Sequence, residues 1–144
     1  MSSVKIVYWS GTGNTEAMAN AVADGVRSAG GTAEVLPVSA VSAADLSADK
    51  AFALGCPSMG AEQLEEGEME PFMAELEGSI AGKQIGLFGS YGWGNCEWMR
   101  DWEDRVSSAG ATVVNGEGVT FLGEPDAETI SALNDLGASL AGIA

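Results

Sequence analysis

A chain of 144 residues, 46% of them hydrophobic, is long enough to bury one core without metal or disulfide staples, and one domain spanning 1–144 is expected. Its 21 acidic side chains outnumber 6 lysines and arginines to leave a net charge of −15, so a nucleic-acid partner is excluded because a polyanion would be repelled. No histidine is present, which removes Ser-His and Cys-His nucleophilic machinery and imidazole metal sites.

The run from Val4 to Trp9 is apolar and short enough for a buried strand. Met18, Val22 and Val26, four apart, then predict a helix over 14–29 that stops at Gly30-Gly31. Thr32 to Pro37 alternates as a second strand nearer an edge, and the Ser/Ala stretch with Asp45 and Asp49 is expected to be a short polar connection. Ala51 to Cys56 is apolar throughout, as a strand covered on both faces must be. Pro57 ends it, and a short helix is expected from about Pro71 with Met69, Phe72, Met73 and Leu76 turned inward.

Gln84 to Ser90 forms a fourth strand, followed by the glycine-rich loop Tyr91-Gly92-Trp93-Gly94-Asn95. A helix carrying Trp98, Met99, Trp102 and Val106 ends at Gly110. A fifth strand, Thr112 to Val114, breaks near Gly116 and Gly118 and resumes over Val119 to Leu122. The last helix starts near Pro125-Asp126 and buries Ile130, Leu133, Leu136 and Leu140. Alternating strands and helices at this spacing predict an α/β fold: a doubly wound five-stranded parallel sheet in three α/β/α layers, order 2-1-3-4-5, with right-handed crossovers. Ligands then bind at the carboxyl ends of strands 1 and 3, where the winding reverses.

The loop entering that position is Ser10-Gly11-Thr12-Gly13-Asn14-Thr15. Small and hydroxylated residues at a helix N-terminus offer backbone N–H groups and hydroxyls to a terminal phosphate without a positive side chain. It is not a nucleoside-triphosphate loop, since Asn14 stands where that loop needs lysine. Cys56 and Cys96 lack metal or CxxC spacing and are expected as free thiols. Neither a membrane span nor a secretory leader is visible, so a cytoplasmic protein is expected. Seven acids (Glu62, Glu65, Glu66, Glu68, Glu70, Glu75 and Glu77) cluster with no base among them and are expected to form a docking field for basic protein surfaces.

The run Tyr8-Trp9-Ser10-Gly11-Thr12-Gly13-Asn14-Thr15-Glu16 resembles the phosphate loop of flavodoxins, which holds the 5′-phosphate of flavin mononucleotide (FMN). Ser58-Met59-Gly60-Ala61-Glu62 and Tyr91-Gly92-Trp93-Gly94 are similar to motifs of the short-chain flavodoxins of anaerobic bacteria, and the resemblance runs from Val4 to about Gly142. The interrupted fifth strand is too compact for the extra loop of long-chain relatives. The resemblance implies a flavodoxin-like fold and a site in which Ser10, Gly11, Thr12, Gly13, Asn14 and Thr15 take the phosphate. Trp93 would lie flat on the outer face of the flavin, with Met59 as a polarisable cover for the other. Ser58, Ser90, Tyr91, Gly92, Gly94 and Asn95 would frame the ring, their backbone reaching its pyrimidine edge, and Glu62 would accept from flavin N3–H. Gly60 allows the next peptide to turn its carbonyl toward flavin N5 in the neutral semiquinone, because one of the two turns requires φ > 0 there.

A carboxylate about 10 Å from the ring opposes an added negative charge by about 1.7 kcal/mol at an effective dielectric of about 20, or roughly 70 mV before screening. With many acids and no cation near the proposed contacts, the expected function is a low-potential one-electron carrier cycling between semiquinone and hydroquinone. Nothing supplies a general acid or a substrate pocket, so no enzyme is expected. The partners implied are ferredoxin-type oxidoreductases with basic docking surfaces, met by a monomer. The competing expectation is an FMN-dependent NAD(P)H quinone or nitro reductase on the same fold, which needs room over the ring that Met59 and Trp93 would close; a flavin-bearing activator of a ribonucleotide reductase is a further alternative. A signalling receiver domain would need acids where this chain has Trp9-Ser10 and Cys56-Pro57. Ala61 stands where the resembling proteins carry a polar or acidic residue, and φ > 0 there costs about 1 kcal/mol. A redox titration of Ala61→Asp is therefore expected to shift semiquinone stability by tens of millivolts, and an unchanged titration would refute the turn assignment.

Overall fold

The computed structural model describes residues 3–11, 13–59, 63–92, 94–123 and 125–143. Strand β1 (Ser3–Tyr8) pairs in parallel with β2 (Thr32–Pro37) on one side and β3 (Ala51–Gly55) on the other. Next comes β4 (Gln84–Tyr91), and beyond it the edge is divided. Strand β5 (Thr112–Val113) pairs with Gln84 and Ile85, while β6 (Val119–Leu122) pairs with Phe88 to Tyr91. One 3-10 turn, Val114–Gly116, makes the break, with Asn115 at φ 65°. The order is thus 2-1-3-4-5, its fifth position shared by two short pieces as the glycines predict.

Strand alternation divides the core between the two faces of the sheet. On one face Val4, Ile6, Ala51, Ala53 and Phe88 pack with helices α1 (Asn14–Ser28) and α5 (Ala127–Ile143). The opposite face holds Val7, Phe52, Leu54, Ile85 and Leu87, covered by α2 (Ala43–Ser47), α3 (Met69–Leu76) and α4 (Glu97–Ser108). The inward faces of α3 and α4 carry the expected residues: Met69, Phe72, Met73 and Leu76, then Trp98, Met99, Trp102 and Val106.

Two local expectations need correction. The polar connection contains a true helical turn, α2. The Ser42 hydroxyl accepts from Asp45 N–H at 3.1 Å while the Asp45 carboxylate accepts from Ser42 N–H at 3.1 Å, and Leu46 anchors it in the core. Five residues are too few for an apolar repeat to register. Helix α3 starts two residues before Pro71, which still lies in the first turn, where a missing N–H costs nothing.

Helices α1 and α5 touch backbone to backbone. A Cβ on Gly25 would lie 2.0 Å from the Asn134 carbonyl oxygen, and one on Gly137 would lie 2.0 Å from that of Val22. Gly137→Ala should therefore destabilise the fold by about 1–3 kcal/mol despite alanine's better helix propensity. The measurement is a urea midpoint that falls with an unchanged slope.

Candidate functional site

From the ends of β1 and β3 the chain departs to opposite faces of the sheet, to α1 and α3 respectively. The last rung before they part is the hydrogen bond from Trp9 N–H to the Gly55 carbonyl, 2.9 Å. Beyond it lies a cleft of about 400 Å³, within the range of roughly 300–1,000 Å³ typical of small-molecule sites. Gly11 and Asn14 come from the first loop, Pro57, Ser58 and Met59 from the second, and Ser90, Tyr91 and Gly92 from the end of β4. Trp9 and Gly123 complete the walls. A neighbouring hollow of about 320 Å³ shares Trp9 and Gly11 and is also lined by Ser10, Gly13, Glu16 and Glu68.

In the first loop, Gly13 is the N-cap of α1 at φ 95°, a left-handed conformation that suits glycine, and no side chain caps from that position. Ser10 does so from upstream. Its Oγ accepts from Gly13 N–H at 3.0 Å and Glu16 N–H at 3.4 Å, leaving the hydroxyl proton to donate outward. The N–H groups of Asn14 and Thr15 belong to a first turn that has no intrahelical acceptors, at the positive end of the helix dipole. Thr15 itself is buried. Its Oγ1 lies 3.1 Å from Ser90 Oγ and accepts from Ser90 N–H at 3.4 Å, so these two side chains tie the first loop to β4 rather than lying open to a ligand. Thr12 falls outside the described residues.

The second loop is clamped at its ends. Met59 and Gln63 exchange N–H···O bonds of 2.9 Å in both directions, and Ser58 N–H donates to the Ser90 carbonyl at 3.0 Å. Gly60, Ala61, Glu62 and Trp93, which were expected to contact the ring, also fall outside the described residues. Gly94 and Asn95 are exposed and are not among the cleft walls. Cys56, where the second loop begins, is fully buried, and burial pushes its thiol up to about 12.

The acidic cluster is less uniform than its composition suggests. Arg105, reaching over from α4, lies 2.7 Å from Glu70 and 2.8 Å from Glu77 and clamps α3 to α4. That guanidinium holds the Glu77 carboxyl below its ordinary value. Glu65 turns back as a cap: burial would raise its pKa, but bonds from the N–H groups of Met69, Glu68 and Gly67 outweigh burial and lower it. Glu66 accepts from Gln63, and Glu68 accepts from Trp9 Nε1 at 3.2 Å. Three of the seven expected docking acids, Glu65, Glu70 and Glu77, are therefore engaged in holding the fold. The engagement of Glu70 and Glu77 could not be read locally, because Arg105 lies far along the chain from them.

Trp9, Pro57 and Gly123 were missed as wall residues. Trp9 reads as the end of an apolar strand, although its place directly before the loop was a signal. Gly123 follows the fifth strand at the same carboxyl edge of the sheet, and its N–H donates to the Tyr91 carbonyl at 2.9 Å.

A parallel α/β sheet with a glycine-capped helix N-terminus opening into a cleft at its switch point has the architecture of the doubly wound mononucleotide-binding class. A family model described as flavodoxin matches residues 6–134. Flavodoxin from Megasphaera elsdenii is 49% identical over 111 residues, covering 77% of this chain and 81% of that one. Flavodoxin from Clostridium beijerinckii is 47% identical over 123 residues, covering 85% and 88%. The solution structure of two-electron reduced Megasphaera elsdenii flavodoxin superposes with a TM-score of 0.87 at 42% identity, covering 96% and 98%. The chain belongs to the flavodoxin family and is an FMN-binding electron carrier.

The Arg105 clamp has a pH signature. A carboxyl whose folded pKa is depressed adds stability above its ordinary value of 4.5, and this is lost as pH falls through the folded value. Arg105→Met should cost about 1 kcal/mol near neutral pH after solvent screening. The difference should shrink in high salt and vanish below the carboxylate range, as read from denaturant midpoints at the two pH values.

Proposed function

We propose that the cleft seats FMN with its phosphate at the first loop and its ring between the second and third, and that one domain over 1–144 works as a low-potential carrier without catalysing a reaction of its own. The observation that carries this is the continuity of two unlike environments: the polar N-terminus of α1 at Ser10 and Gly13 opens across Gly11 and Asn14 onto a slot walled by Met59 and Tyr91. FMN, when bound, supplies two successive one-electron steps.

The residues of the chain bind, orient and tune it. Ser10, Gly11, Thr12, Gly13 and Asn14 hold the phosphate, with Thr15 fixing the helix end through Ser90. Met59 and Trp93 cover the faces of the ring. Ser58, Gly60, Ala61 and Glu62 meet one edge, and Tyr91, Gly92, Gly94 and Asn95 meet another. None of the described wall residues carries a charge of either sign, which leaves the ring without a cation to stabilise added negative charge and without a side-chain acid to serve a substrate. Glu16, Glu66, Glu68 and Glu75 stay exposed outside the cleft, where they further disfavour reduction and steer proteins with basic surfaces, of the ferredoxin-type oxidoreductase kind, toward it. A monomer in the cytoplasm suits that role; among the described residues no helix is long and apolar enough to cross a membrane.

Binding to the apoprotein separates the phosphate site from the ring slot. Two or three charge-assisted hydrogen bonds to phosphate should make FMN bind about a hundredfold or more tighter than riboflavin. Equal affinities in a fluorescence-quenching titration would remove the first loop from the site.

A further inference from the structure

Two tryptophans lie one turn apart on the buried face of α4, both 1% exposed, and only one has a polar task. Trp98 Nε1 donates to the carbonyl oxygen of Cys56 at 3.0 Å, whereas Trp102 Nε1 is buried with no partner among the described residues. That Cys56 carbonyl is the first past the end of β3, at the root of the loop that carries Met59. It sits in a narrow place: a Cβ on Gly89 would be 2.1 Å from it and 3.1 Å from Trp98 Cζ2. Cys56 also accepts at Sγ from Glu65 N–H, 3.4 Å, beyond the far end of the same loop. On the other side of the cleft, the Trp98 ring lies 5.7 Å from that of Tyr91, with the planes at 49°. One indole thus touches the roots of both the second and third loops.

We infer that Trp98 is a positioning residue which, through its bond to the Cys56 carbonyl and its packing on Tyr91, locks the second and third loops into one rigid unit around the cofactor. This rests on the FMN site proposed above. Without the indole N–H, the Cys56 carbonyl is a buried acceptor lacking its partner, and the root of the Met59 loop gains freedom. In the proposed site that root would support the loop beside a ring whose charge changes with each electron. A loop free to relax around each state evens out the preferences that separate the two one-electron potentials.

The test compares Trp98→Phe with Trp102→Phe, which removes an indole of equal size and burial but breaks no hydrogen bond. Trp98→Phe should weaken FMN binding about tenfold and narrow the gap between the two midpoint potentials, while Trp102→Phe stays within about twofold of the parent protein. Amide exchange in the apoproteins should quicken at Ser58, Met59 and Gln63 in the first variant alone. If Trp98→Phe fails to fold, a benzothienyl analogue of tryptophan placed at position 98 keeps the ring volume and removes only the N–H. Parent-like affinity, potentials and loop exchange in either form without the N–H overturn the inference. If the parent protein itself takes up no FMN, the cofactor assignment falls, and apoprotein exchange still decides whether Trp98 pins the loop.

Discussion

The last hydrogen bond between β1 and β3, Trp9 N–H to the Gly55 carbonyl at 2.9 Å, is the constraint on which the rest of the molecule depends. Up to that rung the two strands must run side by side. Past it their successor helices lie on opposite faces of the sheet, and a right-handed crossover leaves each no other way to go. A gap at that point is therefore a consequence of the winding and needs no dedicated residues. The residues around it determine what the gap can hold.

The walls of the cleft carry no charge among the described residues, and much of their polarity is spent on one another. Thr15 meets Ser90, Ser58 meets the Ser90 carbonyl, and Gly123 meets the Tyr91 carbonyl, so the loops from three strands are cross-tied at their bases. The nearest charges, Glu16 and Glu68, line the adjoining hollow. Arg105 is occupied by Glu70 and Glu77, and Glu65 is absorbed in starting α3. An electron arriving in the cleft meets oriented dipoles close by and an acidic surface further out, which is how a protein makes reduction difficult without making binding weak.

Much of this architecture was readable from residue order, and the failures have physical causes. Strand runs such as Ala51 to Gly55 and helix faces such as Trp98, Met99, Trp102 and Val106 announce themselves because burial imposes a period on the chain. The split of the fifth strand was visible in Gly116 and Gly118 for a different reason, since glycine interrupts a strand and Gly116 takes φ 86° in the turn. Helix α2 escaped because a single turn held by a reciprocal Ser42–Asp45 pair has no period to detect. At the site, the loops were found by type, but the direction of each side chain was not. Nothing near Thr15 in the sequence announces the bond its side chain makes to Ser90, and Glu65 looks like its exposed neighbours yet accepts three backbone N–H groups. Thr15 and Arg105 have partners distant in the chain, whereas Glu65 is held by Gly67, Glu68 and Met69 in a single turn too short to show a period.

The fully buried Cys56 has one more implication. Burial pushes its thiol up to about 12, so near neutrality it keeps its proton, and thiolate is the form that attacks disulfides and peroxides. The sulfur seated where the Met59 loop begins is thus chemically silent. What oxidation reaches in the cleft is instead the Met59 thioether, which lines its wall.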